Sequence, residues 1–265
     1  SDYSGGVVIL AMLVYTLQIY ADFAGCMDIV RGSGALFGIE ITRNFHQPFF
    51  SRSIGEFWRR WHMTLGAWFK DYIFYPVTLS KTNMKLGRWA KKHLSPHLGQ
   101  VMPTAFALFF VWLANGIWHG AAVNFLFWGI YHGCFLMLEE YVPWIGRKGS
   151  KLKAVFQHIY ALLVVCIGFV FFRADTMSQG LFWIKEMFTG FTWNAAAMSF
   201  AVQQITPVFL VTLAGALIAC CPVIKTVNNK KWYAPFAYVC SLLGLVVCML
   251  SLASGTYNPF IYFRF

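Results

Sequence analysis

A chain of 265 residues that is 58% hydrophobic and only 12% charged lies outside the soluble class, where about a quarter of residues carry charge. Its 21 Lys and Arg against 10 Asp and Glu give a formal net charge of +11. The basic residues flank apolar runs instead of forming a continuous stripe, which argues against nucleic acid as a partner and assigns most of them to orientation and lipid-headgroup contact. The expected fold class is therefore all-α, a polytopic transmembrane helix bundle forming one membrane domain over residues 1–265.

In chain order, Ser1-Asp2-Tyr3 lacks an initiator Met and a basic leader, so the chain reads as a C-terminal fragment with upstream helices missing. Apolar runs follow at 7–20, 101–113, 121–138, 154–172, 207–221 and 235–253, several of them near the roughly 20 residues that cross a hydrocarbon core. Residues 31–92 hold eleven Lys and Arg, 147–153 four and 225–231 three. With alternating spans, the positive-inside rule puts these groups in the cytoplasm and places Ser1, the 173–206 connection and Phe265 outside.

Residues 53–79 mix aromatics and charges at short spacing. Ser53 with Glu56 makes a capping box, and Pro76 is expected to end the helix. Trp58, Trp61, Leu65 and Trp68 fall on one stripe, with Arg59, His62 and Asp71 on other faces and Glu56 within pairing distance of Arg59 or Arg60. Two readings stand open, an interfacial amphipathic helix or a re-entrant helix lining a polar cavity. Residues 81–100 read as a basic connection punctuated by Pro and Gly, facing the cytoplasm.

The run 101–138 is 38 residues without Asp, Glu, Lys or Arg, yet it carries His119 and His132 in matching settings, Gly116-Ile117-Trp118-His119-Gly120 and Gly129-Ile130-Tyr131-His132-Gly133. One helix of that length would reach roughly 57 Å, so broken helices are expected, interrupted near 115–120. An imidazole in hydrocarbon is costly unless it is used, which makes both histidines candidates for function. The bland reading is small-xxx-small helix packing, with each ring bonded to a neighbouring carbonyl; it is preferred for His132. At about 100° per residue the two rings lie about 140° apart, so they share a site only if the helix breaks between them. Asp22 reads as a helix–helix hydrogen-bonding partner. His46, His93, His97 and His158 read as ordinary. The seven cysteines form no Cys-x-x-Cys and read as small buried hydrophobes. No spacing suggests a metal site. Residues 177–204, nearly neutral and carrying Phe182, Trp183, Phe188, Phe191 and Trp193, suit the outer headgroup layer or a docking surface.

The ordered set Gln18-Ile19-Tyr20-Ala21-Asp22-Phe23-Ala24-Gly25-Cys26-Met27-Asp28, Asn44-Phe45 with Pro48-Phe49, the 57–71 segment, Gly116–Gly120 and Asn258-Pro259-Phe260-Ile261-Tyr262-Phe263 resembles the membrane-bound O-acyltransferase superfamily, in particular its bacterial alginate O-acetylase-like branch. Ala24-Gly25-Cys26-Met27 departs from the Ser-Gly-Tyr-Ser more usual there. The resemblance implies a multi-pass protein of the bacterial plasma membrane. It would move an acyl group, acetyl in this branch, from acetyl-CoA or another cytoplasmic thioester to hydroxyls of a cell-envelope polysaccharide, with no bound cofactor. It further implies His119 as the catalytic histidine, His62 as the second, and an extracytoplasmic SGNH-hydrolase-like partner. An imidazole with a pKa of about 6.5 can take an alcohol proton at neutral pH. We expect His119 as general base, His62 orienting the acceptor or stabilising charge, and Asn115, Trp118, Arg59, Arg60 and Asp71 completing the pocket, the arginines facing donor phosphates. A D-alanyl transfer protein of teichoic acid modification is the sister reading. A transporter without covalent chemistry is the rival from another class, disfavoured because 101–138 has no further intramembrane charge.

Overall fold

The computed structural model describes residues 5–143, 145–147, 149–191, 195–220 and 229–254. Regular structure among them is helical: α1 (Gly5–Leu36), α2 (Ile54–Arg60), α3 (Met63–Phe69), α4 (Tyr75–Thr78), α5 (Lys81–His93), α6 (Pro96–His119), α7 (Val123–Tyr141), α8 (Lys151–Arg173), α9 (Met177–Thr189), α10 (Ala195–Gln204), α11 (Pro207–Cys220) and α12 (Tyr233–Ser254). Helices α1, α6, α8 and α12 are long and apolar enough to cross a membrane. Cys221, Trp193, Lys225 and the 258–263 motif lie outside the described residues.

Helix α1 buries one stripe, Val8, Met12, Tyr15, Thr16 and Ile19, the three- and four-residue spacing of a helix with a single packed face. At 32 residues it extends roughly 48 Å, longer than a bilayer core of roughly 30 Å. Its partner α8 contributes Val164, Val165, Phe169, Phe171 and Phe172 to the same core. Asp22 is half-buried rather than sealed between helices. At the head of α1, Gly5 donates its amide to the Gly190 carbonyl that follows α9, and a Cβ at Gly5 would lie 2.2 Å from the Glu186 carbonyl. In α12 the apolar residues are exposed on every side, as a helix surrounded by lipid requires.

Four expectations change here. Residues 53–79 form no continuous helix: α2 stops at Arg60, His62 takes a left-handed turn (φ 46°), and α3 restarts at Met63. The aromatic stripe is broken with it, since Trp61 is buried while Trp68 is half exposed. Pro76 does not end the helix. A π turn over Lys70–Phe74 sends the Tyr75 amide back to the Lys70 carbonyl, and α4 continues to Thr78; shifting the hydrogen-bond ladder is how a helix absorbs a missing proline N–H. The basic connection 81–100 is largely helix, packed on α6 where Gly87 and Gly99 let it approach: a Cβ there would come within 2.8 Å of Pro103 Cγ and 2.6 Å of Lys91 Cβ. Finally, among the described cysteines only Cys220 is buried, while Cys134, Cys240 and Cys248 face outward.

Candidate active site

Two adjoining helices build one wall of the site. Gly129 has no room for a side chain, because a Cβ would collide with the Trp112 carbonyl and lie 3.0 Å from Gly116 Cα; a Cβ at Gly133 would lie 2.9 Å from Trp112 Cβ. The small-xxx-small positions thus press α6 and α7 together backbone to backbone. The break falls at 120–122, just past His119 and at the far edge of the expected 115–120 window. Gly120 is needed because the Phe125 ring occupies the space a Cβ would take, 2.7 Å away. The buried Asn124 amide ties the hairpin tip to the end of α8 by donating to the Phe171 and Ala174 carbonyls, at 3.3 and 2.7 Å. His119 is therefore the last residue of α6, and Leu108, Val111, Trp112, Asn115 and His119 form the helix face that lines a cavity.

The second histidine is delivered by the broken helix of the 53–79 segment. Every early amide of α2 finds an acceptor: Glu139 of α7 takes Ile54 N at 2.6 Å and Gly55 N at 2.9 Å, and Ser53 Oγ takes Glu56 N at 3.1 Å. That satisfies the donors a helix start leaves open. After Trp61 the chain turns left-handed at His62, a conformation costly for most side-chain-bearing residues. Asn44 sustains it: its carbonyl accepts from Met63 N at 2.9 Å, and its Oδ1 gathers Thr64 N at 3.2 Å, Thr64 Oγ1 at 2.6 Å and His62 Nδ1 at 3.1 Å. Because Oδ1 already receives a backbone N–H, it is an acceptor, so His62 Nδ1 carries the proton and Nε2 keeps its lone pair. Burial lowers the His62 imidazole to about 4, leaving it neutral at pH 7.

His62 and His119 open on the same cavity of about 740 Å³, within the usual range for small-ligand sites. Trp118 stands beside both rings, 4.7 Å from His119 and 6.1 Å from His62 between centroids. On α7 the lining includes Trp128, Leu136 and Glu139; Trp128 and Glu139 are eleven positions apart, roughly 16 Å at 1.5 Å per residue. Its charges, Arg59, Lys70, Glu139 and Glu140, lie on α2, the π turn and the end of α7. Arg59 makes no ion pair among the described residues.

Of the predicted site residues, the structure gathers His119, His62, Asn115 and Arg59 around this space. Trp118 touches both histidines but is more than half exposed, and it is not part of the lining. Arg60 is turned away, held by Glu56 at 2.5 Å and by the Gln47 carbonyl at 3.3 Å. Asp71 is exposed on the π turn, outside the lining. His132 also departs from expectation. Its ring is fully buried, and neither nitrogen bonds a carbonyl; it is packed instead among Trp58, Trp112 and Trp128 and pressed on Gly168. Among the described residues no three His, Cys, Asp or Glu side chains converge as metal ligands.

Three contributors escaped the sequence reading. Asn44 was visible in a motif but its acceptor role was not; the signal is a buried amide beside a histidine turn 18 residues away. Glu139 was hidden because its partners are 84 and 85 residues distant. Trp128 sits in the apolar run as an ordinary core aromatic, and only the fold sets it against His119.

Comparison with known proteins shows the family of the chain. The family model described as MBOAT, membrane-bound O-acyltransferase family, matches residues 4–148. The chain is 28% identical to a probable alginate O-acetylase of Azotobacter vinelandii, over all of this chain and 56% of that protein. It is 31% identical to a peptidoglycan O-acetyltransferase of Helicobacter pylori, over 67% of this chain and 31% of that protein. A teichoic acid D-alanyltransferase of Bacillus subtilis is 29% identical over 62% of this chain and 40% of its own length. The chain spans about half the length of the alginate O-acetylases it matches.

Proposed function

Because the chain belongs to the membrane-bound O-acyltransferase family, we propose that it forms the histidine-bearing part of an enzyme that moves an acyl group, acetyl in our reading, from a cytoplasmic thioester such as acetyl-CoA to a hydroxyl of an extracytoplasmic cell-envelope polysaccharide. The observation that carries this reading is the joint opening of His119 and His62 on a cavity leading along α7 to Arg59 and Lys70. The basic stretches that adjoin that far end support a cytoplasmic position for it.

The chemistry follows from the two imidazoles. A neighbouring hydroxyl of the acceptor sugar donates to His62 Nε2, which holds the acceptor in place, while the reacting hydroxyl donates to His119. His119 takes the hydroxyl proton as the oxygen attacks the thioester carbonyl carbon, giving a tetrahedral intermediate. The C–S bond then breaks, and the imidazolium returns its proton to the leaving thiolate, so an ester and a thiol are the products. No covalent acyl-enzyme is required, since the thioester already carries a good leaving group. Arg59, unpaired at the cavity mouth, faces the donor's phosphates. The outer face, where Phe188 and Phe191 are exposed, is where an SGNH-hydrolase-like partner would meet the chain. The D-alanyl transfer reading shares all of these steps and differs in the donor.

The test uses the full-length protein in cells lacking the native copy. His119→Ala is expected to abolish polysaccharide O-acylation, and His62→Asn, which tolerates the same backbone turn, to reduce it less severely. Mild base should release acetate rather than D-alanine from the wild-type polymer. Undiminished acylation by His119→Ala at normal protein level would remove that residue from the mechanism.

A further inference from the structure

A general base must be held at a fixed tilt, and most catalytic histidines are held by a hydrogen-bonded carboxylate or carbonyl. His119 has no such group among the described residues. Its ring is fixed by other rings. Trp128 meets it edge to face, with centroids 4.9 Å apart and planes at 85°, and Phe172 does the same at 5.0 Å and 86°. Edge-to-face contact is directional, because the positive ring edge seeks the negative face of its neighbour.

Trp128 is also locked from behind. It is 1% exposed and packs on Trp58 at 5.5 Å, Trp112 at 6.1 Å, His132 at 5.1 Å and Phe172 at 5.3 Å. His132 is itself pressed against α8, its Nε2 taking the space a side chain at Gly168 would fill. Behind these rings, α7 is pinned to α6 through Gly129 and Gly133. By contrast Trp118, the other indole on His119, is more than half exposed and has no such backing.

We infer that Trp128 is the positioning residue of His119, its indole doing by ring packing what a hydrogen-bonded carboxylate does elsewhere, with His132 as the fixed stop behind it. The inference rests on the role of His119 proposed above. It assigns a use to the buried His132: an uncharged, flat filler among three indoles whose departure would let Trp128 swing away.

The experiment compares Trp128→Phe, Trp128→Leu and His119→Ala in the full-length protein, in cells lacking the native copy. O-acyl content of the envelope polysaccharide is measured per amount of membrane-inserted protein, with unfolding temperature as a control. In parallel, purified protein is treated with diethyl pyrocarbonate, and modification of His119 is followed relative to His62 by peptide mass spectrometry. Phe keeps an edge-to-face ring and is expected to retain most acylation. Leu removes the ring and is expected to lower acylation about tenfold or more, the scale of cost for a misplaced catalytic group. It should also make His119 react several-fold faster, while Phe leaves that rate near the wild type.

Equal losses in Phe and Leu, or a Leu variant as active as wild type, would overturn the inference. So would a Leu loss explained by protein amount or unfolding temperature, with His119 reactivity unchanged. If His119→Ala acylates normally, the proposed function of that histidine fails, and the reactivity comparison still decides whether Trp128 holds its ring.

Discussion

Asn44 concentrates on one amide oxygen the amide and hydroxyl of Thr64 and the Nδ1–H of His62. Truncation to Ala would strand those donors at a cost of about 1–3 kcal/mol for a buried group left unpaired. We expect Asn44→Ala to lower the unfolding temperature and to reduce polysaccharide acylation about as far as His62→Asn does, with both measured on membrane-inserted protein. The lowered pKa of His62 makes a second prediction. Between pH 6.5 and about 4, the unfolded chain binds the proton and the folded one does not, so the folded state loses stability as pH falls through that window. Thermal unfolding in detergent at pH 7.5 and pH 5 should show this loss, and His62→Asn should show less of it. At this scale His119 stood out as an imidazole in a chargeless run and His62 through the resemblance, and the structure sets both on one cavity. The roles of Asn44 and Trp128 were not legible, since they arise from contacts that no local pattern encodes. Arg60 and Asp71 fall outside the cavity lining, Arg60 because Glu56 and the Gln47 carbonyl hold it and Asp71 because it is exposed on the π turn.

Helices α6 and α7 show how far element-level patterns reach. The spacing of Gly116, Gly129 and Gly133 announced close packing, and a Cβ at Gly129 would collide with the Trp112 carbonyl. Gly129→Val should therefore sharply reduce folded protein in membranes, whereas Gly25→Ala, where nothing lies within 4 Å of a Cβ, should express normally. Detergent-solubilised protein followed by size-exclusion chromatography would separate these outcomes. The length of the apolar run foretold a break near 115–120, and it falls at 120–122; the packing of Phe125 beside Gly120 was visible only in the fold. Likewise, the Ser53 and Glu56 cap was visible in sequence, while the Glu139 carboxylate that completes it came from another helix. Pro76 misled because a π turn, which has no sequence signature of its own, carried the helix past it.

For the molecule as a whole, composition and apolar run lengths were enough to read a membrane helix bundle, and the ordered motifs were enough to read its family. We propose the sidedness from charge, with the basic Lys151 end of α8 in the cytoplasm and the Arg173 end outside. In a background with the seven cysteines replaced, a membrane-impermeant maleimide should label Asp175→Cys on intact spheroplasts and Ser150→Cys only after permeabilisation. The reverse pattern would turn the proposed orientation over. On that orientation, the place of His119 at the very last residue of α6 has a vectorial consequence. The reacting centre stands at the far threshold of the bilayer, with a corridor behind it leading back toward the cell interior. With the donor and acceptor proposed above, neither the bulky polymer nor the carrier thiol would have to traverse the lipid; an acetyl-sized fragment would change compartments in the same step in which its bond is exchanged.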